Sequence, residues 1–170
     1  MSTRSGDLDP GLVLYLAQTE QMTAQQFHHM VNRQSGLLGV SDTSSDLRDL
    51  LEKEASDIRA AEAVSLFCYQ VKKWIGAFAA ALGGVDIIVF AGGIGENAPV
   101  IRARICDGLR FLGIELDDNR NAAGEPLIST DASCAQVRVI RTDEEVIIAK
   151  AAFKILADSN SQHQPQSTAP

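Results

Sequence analysis

Basic charge, paired cysteines and long apolar runs are all scarce in this sequence, and each scarcity removes a class of function. Arginine and lysine together number 15 against 22 aspartates and glutamates, a formal charge of −7. Nucleic-acid-binding surfaces are strongly basic, so no such partner is expected. The three cysteines, Cys68, Cys106 and Cys134, are far apart and form no C-x-x-C pair. They read as small buried apolar groups in a reducing compartment, not as a disulfide frame or a zinc site. No apolar run has the length needed to span a bilayer, and Lys72 and Lys73 interrupt the most apolar helix. The first ten residues, MSTRSGDLDP, lack the apolar core of a secretory leader. The expectation is a cytoplasmic protein with no membrane or nucleic-acid partner.

What is present fits one domain, or a large piece of one. The 170 residues are 45% apolar and 22% charged, an ordinary globular balance that can bury a substantial core. Asp9-Pro10 starts a helix, with Asp9 as N-cap and Val13, Leu16 and Ala17 as its apolar face. Thr23 and Gln26 make a capping box for a second helix carrying Phe27, Met30 and Val31, which Ser35-Gly36 ends. His28 and His29 are adjacent, so on that helix they point about 100° apart and cannot chelate one ion. Residues 36–45 read as a loop, and Ser45 as the cap of a short helix starting Asp46-Leu47-Arg48. By itself that stretch is a capped helix start with an internal ion pair.

Residues 58–82 give the clearest helix. Val64, Phe67, Cys68, Val71, Trp74, Ile75, Phe78, Ala79 and Leu82 follow the i, i+3, i+4 pattern, and Gly83-Gly84 stops it. Trp74 and Phe78 read as core or subunit-interface residues. Further on, a helix is expected over 100–112, a strand over 137–140, and a helix over 143–157 capped by Thr142 and Glu145. Short strands fit 113–116 and 127–128 inside a stretch that is otherwise loop.

Residues 85–97, VDIIVFAGGIGEN, organise the rest. The first seven are apolar apart from Asp86 and rich in β-branched residues, which reads as a strand buried on both faces. A glycine turn follows, and Pro99 opens a helix. Glycines let a ligand approach the backbone without a Cβ in the way, and a following helix presents free N–H groups. The bland alternative is a tight turn between a core strand and its helix. The spacing is neither G-x-G-x-x-G nor G-x-x-x-x-G-K-S/T. Strand-helix-strand-helix order after residue 85 predicts an α/β layer with right-handed crossovers, and ligands of such sheets sit at the carboxyl ends of the strands. The loops at 92–97 and 142–145 should therefore meet on one edge, with an acidic residue there able to serve Mg²⁺.

Several motifs in register carry a resemblance. T-R-S-G-D-L-D-P near the start, S-D-L-R at 45–48, A-G-G-I-G-E-N at 91–97 and T-D-E-E at 142–145, with R-A-R-I-C-D-G-L-x-F-L-G-I between the last two, resemble the C-terminal part of the acetate kinase family. That family belongs with sugar kinases, Hsp70 and actin. The resemblance implies a partial actin-like ATPase (ribonuclease H-like) lobe, α/β, with a mixed or parallel sheet flanked by helices. It would span residues 1–157, truncated on its N-terminal side, with 158–170 a disordered tail. The implied activity is reversible, ATP-dependent phosphorylation of acetate or a short-chain carboxylate to acetyl phosphate, by direct in-line transfer.

Position by position, the resemblance implies that Arg4 stabilises the transition state. Asp46, Leu47 and Arg48 line the adenosine side of the ATP site, and Gly93, Ile94, Gly95, Glu96 and Asn97 form the adenosine loop. Glu144 is tied to Mg²⁺ (or Mn²⁺), with Glu145 as second choice because Glu145 is expected to complete a capping box. A sugar or glycerol kinase lobe fits these motifs less well. Implied partners are ATP or ADP, acetate or acetyl phosphate, and a second subunit in a homodimer, or a complementing N-terminal lobe. The family chain is more than twice as long, and its first phosphate loop, its H-L-G-N-G loop and most of its carboxylate pocket have no counterpart here. Met1 falls where the family often has an internal methionine, and Ser2 replaces a glycine, so a truncated or split gene, or a fragmentary gene model, is expected. Two functions follow: the adenosine and Mg half of a kinase that needs its other lobe, or a non-catalytic remnant that binds nucleotide weakly or pairs with a full-length subunit.

Overall fold

Helix α5 (Ile58–Leu82) is the axis of the molecule. Its start is fixed by Asp57, whose carboxylate accepts from the N–H groups of Arg59 and Ala60, and its end by Gly83 in the left-handed conformation, φ 79°. Ala60, Ala63 and Val64 on its first turns are fully buried, and their small size lets α3 (Gly36–Ser41) and α4 (Leu47–Lys53) pack close. The computed structural model describes residues 1–161, without the side chains of residue 144 and residues 157–161.

Two strands, β1 (Ile87–Phe90) and β2 (Gln136–Val139), pair in parallel with Ile88 beside Val137 and Phe90 beside Val139. These four side chains face the core, where they meet Val64, Cys68, Ile101 and Ile105. Between the strands run α6 (Gly92–Asn97), α7 (Pro99–Cys106), a 3₁₀ turn at Arg110–Leu112 and α8 (Asp118–Ala123), the crossover that parallel pairing requires. Among the described residues, α1 (Pro10–Thr19) and α2 (Ala24–Arg33) come first and α9 (Glu144–Ser161) last. Among the described residues, no helix is long and apolar enough to cross a membrane.

The capping signals at Asp9 and at Thr23 with Gln26 fold as expected, and α5 has the predicted bounds. Other expectations need correction. Residues 36–45 are not all loop: α3 occupies 36–41, because Leu37 is buried against the core and Gly36 supplies a φ of 64° at its start. Asp46, not Ser45, caps α4, its carboxylate accepting from the Arg48 N–H at 2.9 Å. The expected helix 100–112 breaks at Gly108, φ 77°, and the stretch after 117 contains α8, capped by Asp117. The short strands at 113–116 and 127–128 reduce to isolated bridges, Leu116 with Ser129 and Leu127 with Arg138.

The larger correction concerns burial. The β1 strand is buried on one face only: Ile87 and Val89 are half exposed on the other. Its odd-numbered residues also present the outer edge, since Asp86 and Phe90 turn their carbonyls to β2. Likewise α1 buries none of its residues, and Trp74 and Phe78 lie on the surface as a tilted ring pair 5.5 Å apart, so they are not core. Helix α9 runs to Ser161, beyond residue 157 where the expected domain ends. The remainder of the expected tail, 162–170, lies outside the described residues.

Candidate functional site

The loops leaving the carboxyl ends of β1 and β2 do meet. The Glu96 carboxylate accepts from the Thr142 N–H at 2.9 Å, from the Thr142 hydroxyl at 3.0 Å and from the Gly92 N–H at 2.9 Å. These donors, the Thr142 N–H foremost, hold its pKa below the usual glutamate value. Glu96 therefore bolts the glycine stretch to the segment that opens α9. Thr142 is not the cap expected of it; the Asp143 carboxylate takes that place and accepts from the Val146 N–H at 2.9 Å. The capping-box reason for setting Glu145 aside is thereby lost.

Residues 92–97 form a short helical turn instead of an open loop, and its glycines have separate reasons. Gly92 needs a positive φ of 70° to leave the strand. Gly95 passes so close to β1 that a Cβ there would lie 3.1 Å from the carbonyl carbon of Phe90. At Gly93 an added Cβ would meet nothing, because Gly93 faces a groove.

That groove holds about 620 Å³. Asp46, Leu47 and Arg48 form one wall with Leu51, and Gly93, Ile94, Asn97 and Ala98 form the other. Leu37 and Ser2 close it. Two motifs 45 residues apart in the chain are thus brought face to face because α3 and α4 pack on α5, which also carries α7. The Asp46 carboxylate, held at about 2 chiefly by its hydrogen bond from Arg48, fixes the guanidinium at the rim, 2.6 Å from it. Asn97 is turned by its own amide, which donates to the Gly93 carbonyl at 2.9 Å.

The remaining expected site residues stand apart from this groove. Gly95 packs on β1, and Glu96 faces Thr142. Arg4 is exposed, two residues along from Ser2. Its backbone segment is clamped to α2 and α3: the Leu37 N–H donates to the Met1 carbonyl at 2.9 Å, and the Ser5 N–H to that of Val31 at 2.9 Å. A Cβ at Gly36 would fall 2.1 Å from the Met1 oxygen, so only glycine allows this clamp. Glu145 is exposed at the start of α9, and the side chain of Glu144 lies outside the described residues. Among the described residues no group of three or more His, Cys, Asp or Glu is gathered that could hold a metal ion.

Sequence reasoning missed the support behind the turn. Arg102, 1% exposed, donates to the carbonyls of Gly95 and Glu96, both at 2.9 Å, to the Asn121 carbonyl at 2.6 Å and to the Asn121 side-chain oxygen at 2.8 Å. The Asn121 amide in turn donates to the Pro99 carbonyl at 3.0 Å. The signal was an arginine placed on the buried stripe of α7, one residue after Ile101.

A parallel strand pair whose carboxyl-end turns converge beside an amphiphilic groove is the layout of nucleotide-binding α/β proteins. The particular class follows from comparison: the chain belongs to the Acetokinase family, whose profile matches residues 1–150. It is 48% identical over 160 residues to an acetate kinase of Thermoanaerobacterium thermosaccharolyticum, and 45% identical over 158 residues to that of Heliobacterium modesticaldum. Each match covers 92% of this chain but 40% of the relative. The chain thus spans two-fifths of the length of these relatives. Among solved structures it resembles acetate kinase of Porphyromonas gingivalis, at 42% identity and TM-score 0.82, covering 92% of this chain and 40% of that one. A propionate kinase from Francisella tularensis has 35% identity and TM-score 0.81, over 88% of this chain and 38% of that one. The fold is accordingly a helix-rich α/β lobe with a small parallel sheet, matching one part of those larger solved chains.

Proposed function

We propose that this chain supplies the adenosine-binding part of an ATP-dependent kinase that phosphorylates acetate or a similar short-chain carboxylate, reversibly and by direct transfer. The observation that carries the reading is the groove in which Asp46, Leu47 and Arg48 face Gly93, Ile94 and Asn97. Leucine and isoleucine walls with a few polar groups at the rim suit a purine and its ribose. The absent Cβ at Gly93 leaves room for the ligand against the backbone. The names of the relatives, acetate kinase and propionate kinase, support the acceptor class.

In such a transfer negative charge spreads over the moving phosphoryl group, and the enzyme positions and neutralises it. Arg4 offers planar, permanently charged donors for that role, on a segment clamped beside the groove. A bound magnesium ion would supply further neutralisation. Carboxylate oxygen is the donor it prefers, with Glu144 first and Glu145 second as the groups offered by this chain. With two-fifths of a relative's length, the chain is read as needing a complementary N-terminal portion. The half-exposed Ile87 and Val89 and the surface pair Trp74 and Phe78 are the places where such a portion, or a second copy in a homodimer, would bury apolar area.

The test is acetyl phosphate formation from acetate and Mg-ATP. The chain alone is expected to form none, and the chain mixed with an N-terminal polypeptide of a relative to form it. A folded, nucleotide-binding mixture that forms no product would support a non-catalytic remnant instead. Product from the chain alone would remove the need for a complementary portion.

A further inference from the structure

We infer that Arg102 is a positioning residue for the groove, one that sets the glycine turn from behind without touching the ligand; this rests on the nucleotide reading above. The guanidinium is buried, yet no carboxylate pairs with it among the described residues. Its hydrogen-bond acceptors are neutral oxygens, those of Gly95, Glu96 and Asn121. Desolvation accordingly pushes its pKa down. A buried cation without a counter-charge is a poor means of stabilising a fold, and an apolar side chain of like volume commonly serves as well or better.

What the guanidinium does supply is a rigid fork of donors. One arm takes the two carbonyls that end the turn, and the other arm and Nε take both oxygens of Asn121 on α8. Asn121 closes the circuit by donating to Pro99, at the start of the helix that carries Arg102. With its carbonyls at 95 and 96 held backward, the turn is left with Gly93, Ile94 and Asn97 facing the groove. Glu96 anchors its first residue and Asn97 braces its middle, so residues 92–97 are held at three points. Lysine keeps the charge but has a single nitrogen and cannot span carbonyls on two elements.

The experiment compares wild type, Arg102→Lys and Arg102→Ala by calorimetric titration with Mg-ADP and by amide hydrogen exchange at residues 92–97. Both variants should bind roughly tenfold or more weakly, as the loss of one charged hydrogen bond implies. Exchange should accelerate selectively at 92–97. Low-millimolar guanidinium should restore affinity and slow that exchange in Arg102→Ala, with no effect on wild type. Folded variants that bind and exchange like wild type would overturn the inference. So would guanidinium that raises the unfolding temperature of Arg102→Ala but leaves affinity and local exchange unrestored, the result of a purely structural role. If Arg102→Ala does not fold, Arg102→Lys and Asn121→Ala decide by the same two readouts. If wild type binds no Mg-ADP, the nucleotide reading fails on its own, and exchange at 92–97 still decides whether Arg102 sets the turn.

Discussion

Glu96 and Thr142, 46 residues apart, are joined twice: the carboxylate accepts from both the N–H and the hydroxyl of Thr142. This tie holds the turn after β1 to the segment after β2. Its donors lower the Glu96 pKa, so its contribution is complete above the ordinary glutamate pKa and disappears as pH falls through the depressed folded value. Glu96→Gln should lower the unfolding temperature at neutral pH and flatten its decline in acid. Thermal unfolding followed by circular dichroism from pH 7 down to acid would check this; an unchanged acid limb would remove Glu96 from the account.

Asp46 and Arg48 make an exposed pair within one helical turn, and such pairs add little to stability. Their expected use is to present Arg48 at the groove rim. Arg48→Ala should leave the unfolding temperature nearly unchanged, weaken nucleotide binding, and let the Asp46 pKa rise from about 2 toward 3.8, since the Arg48 hydrogen bond is the largest cause of its depression. Carboxyl NMR titration reads the last effect directly.

Leu50, on α4, is fully buried against α5. Leu50→Ala should cost about 2–5 kcal/mol of unfolding free energy, by lost transfer energy and the cavity left behind. Urea denaturation measures it, and a loss below about 1 kcal/mol would mean that α4 is not seated as described.

The cysteines should separate by reactivity. Burial pushes the Cys106 thiol up to about 12 and raises that of Cys68, whereas Cys134 is exposed. At pH 8 iodoacetamide should modify Cys134 and reach Cys68 and Cys106 only after unfolding. Peptide mapping by mass spectrometry distinguishes the three.

Much of this was legible where one local rule decides the outcome. Asp9, Thr23 and Gly83 mark helix ends through their own chemistry, and α5 follows from apolar spacing alone. The meeting of the two turns was legible from strand order. The short helices at 36–41 and 118–123 were not, because Leu37 and Asn121 take their helical setting from partners distant in sequence. The exposure of Ile87 and Val89 was equally hidden. An apolar, β-branched run reports that a strand is built for burial, and nothing in it tells which of its faces this fold covers. The groove residues came from motif resemblance; Arg102 follows Ile101 on the buried stripe of α7, but its partners at Gly95, Glu96 and Asn121 are set by the fold and not by that stripe.

The most direct measurement is calorimetric titration of Mg-ADP into the purified chain and into Gly93→Val. The valine meets no protein atom near its Cβ but enters the groove. Saturable binding by the wild type, lost in a Gly93→Val chain with an unchanged unfolding temperature, is the predicted result. Absence of binding by the folded wild type, or equal binding by the variant, would contradict the assignment of this groove to the nucleotide.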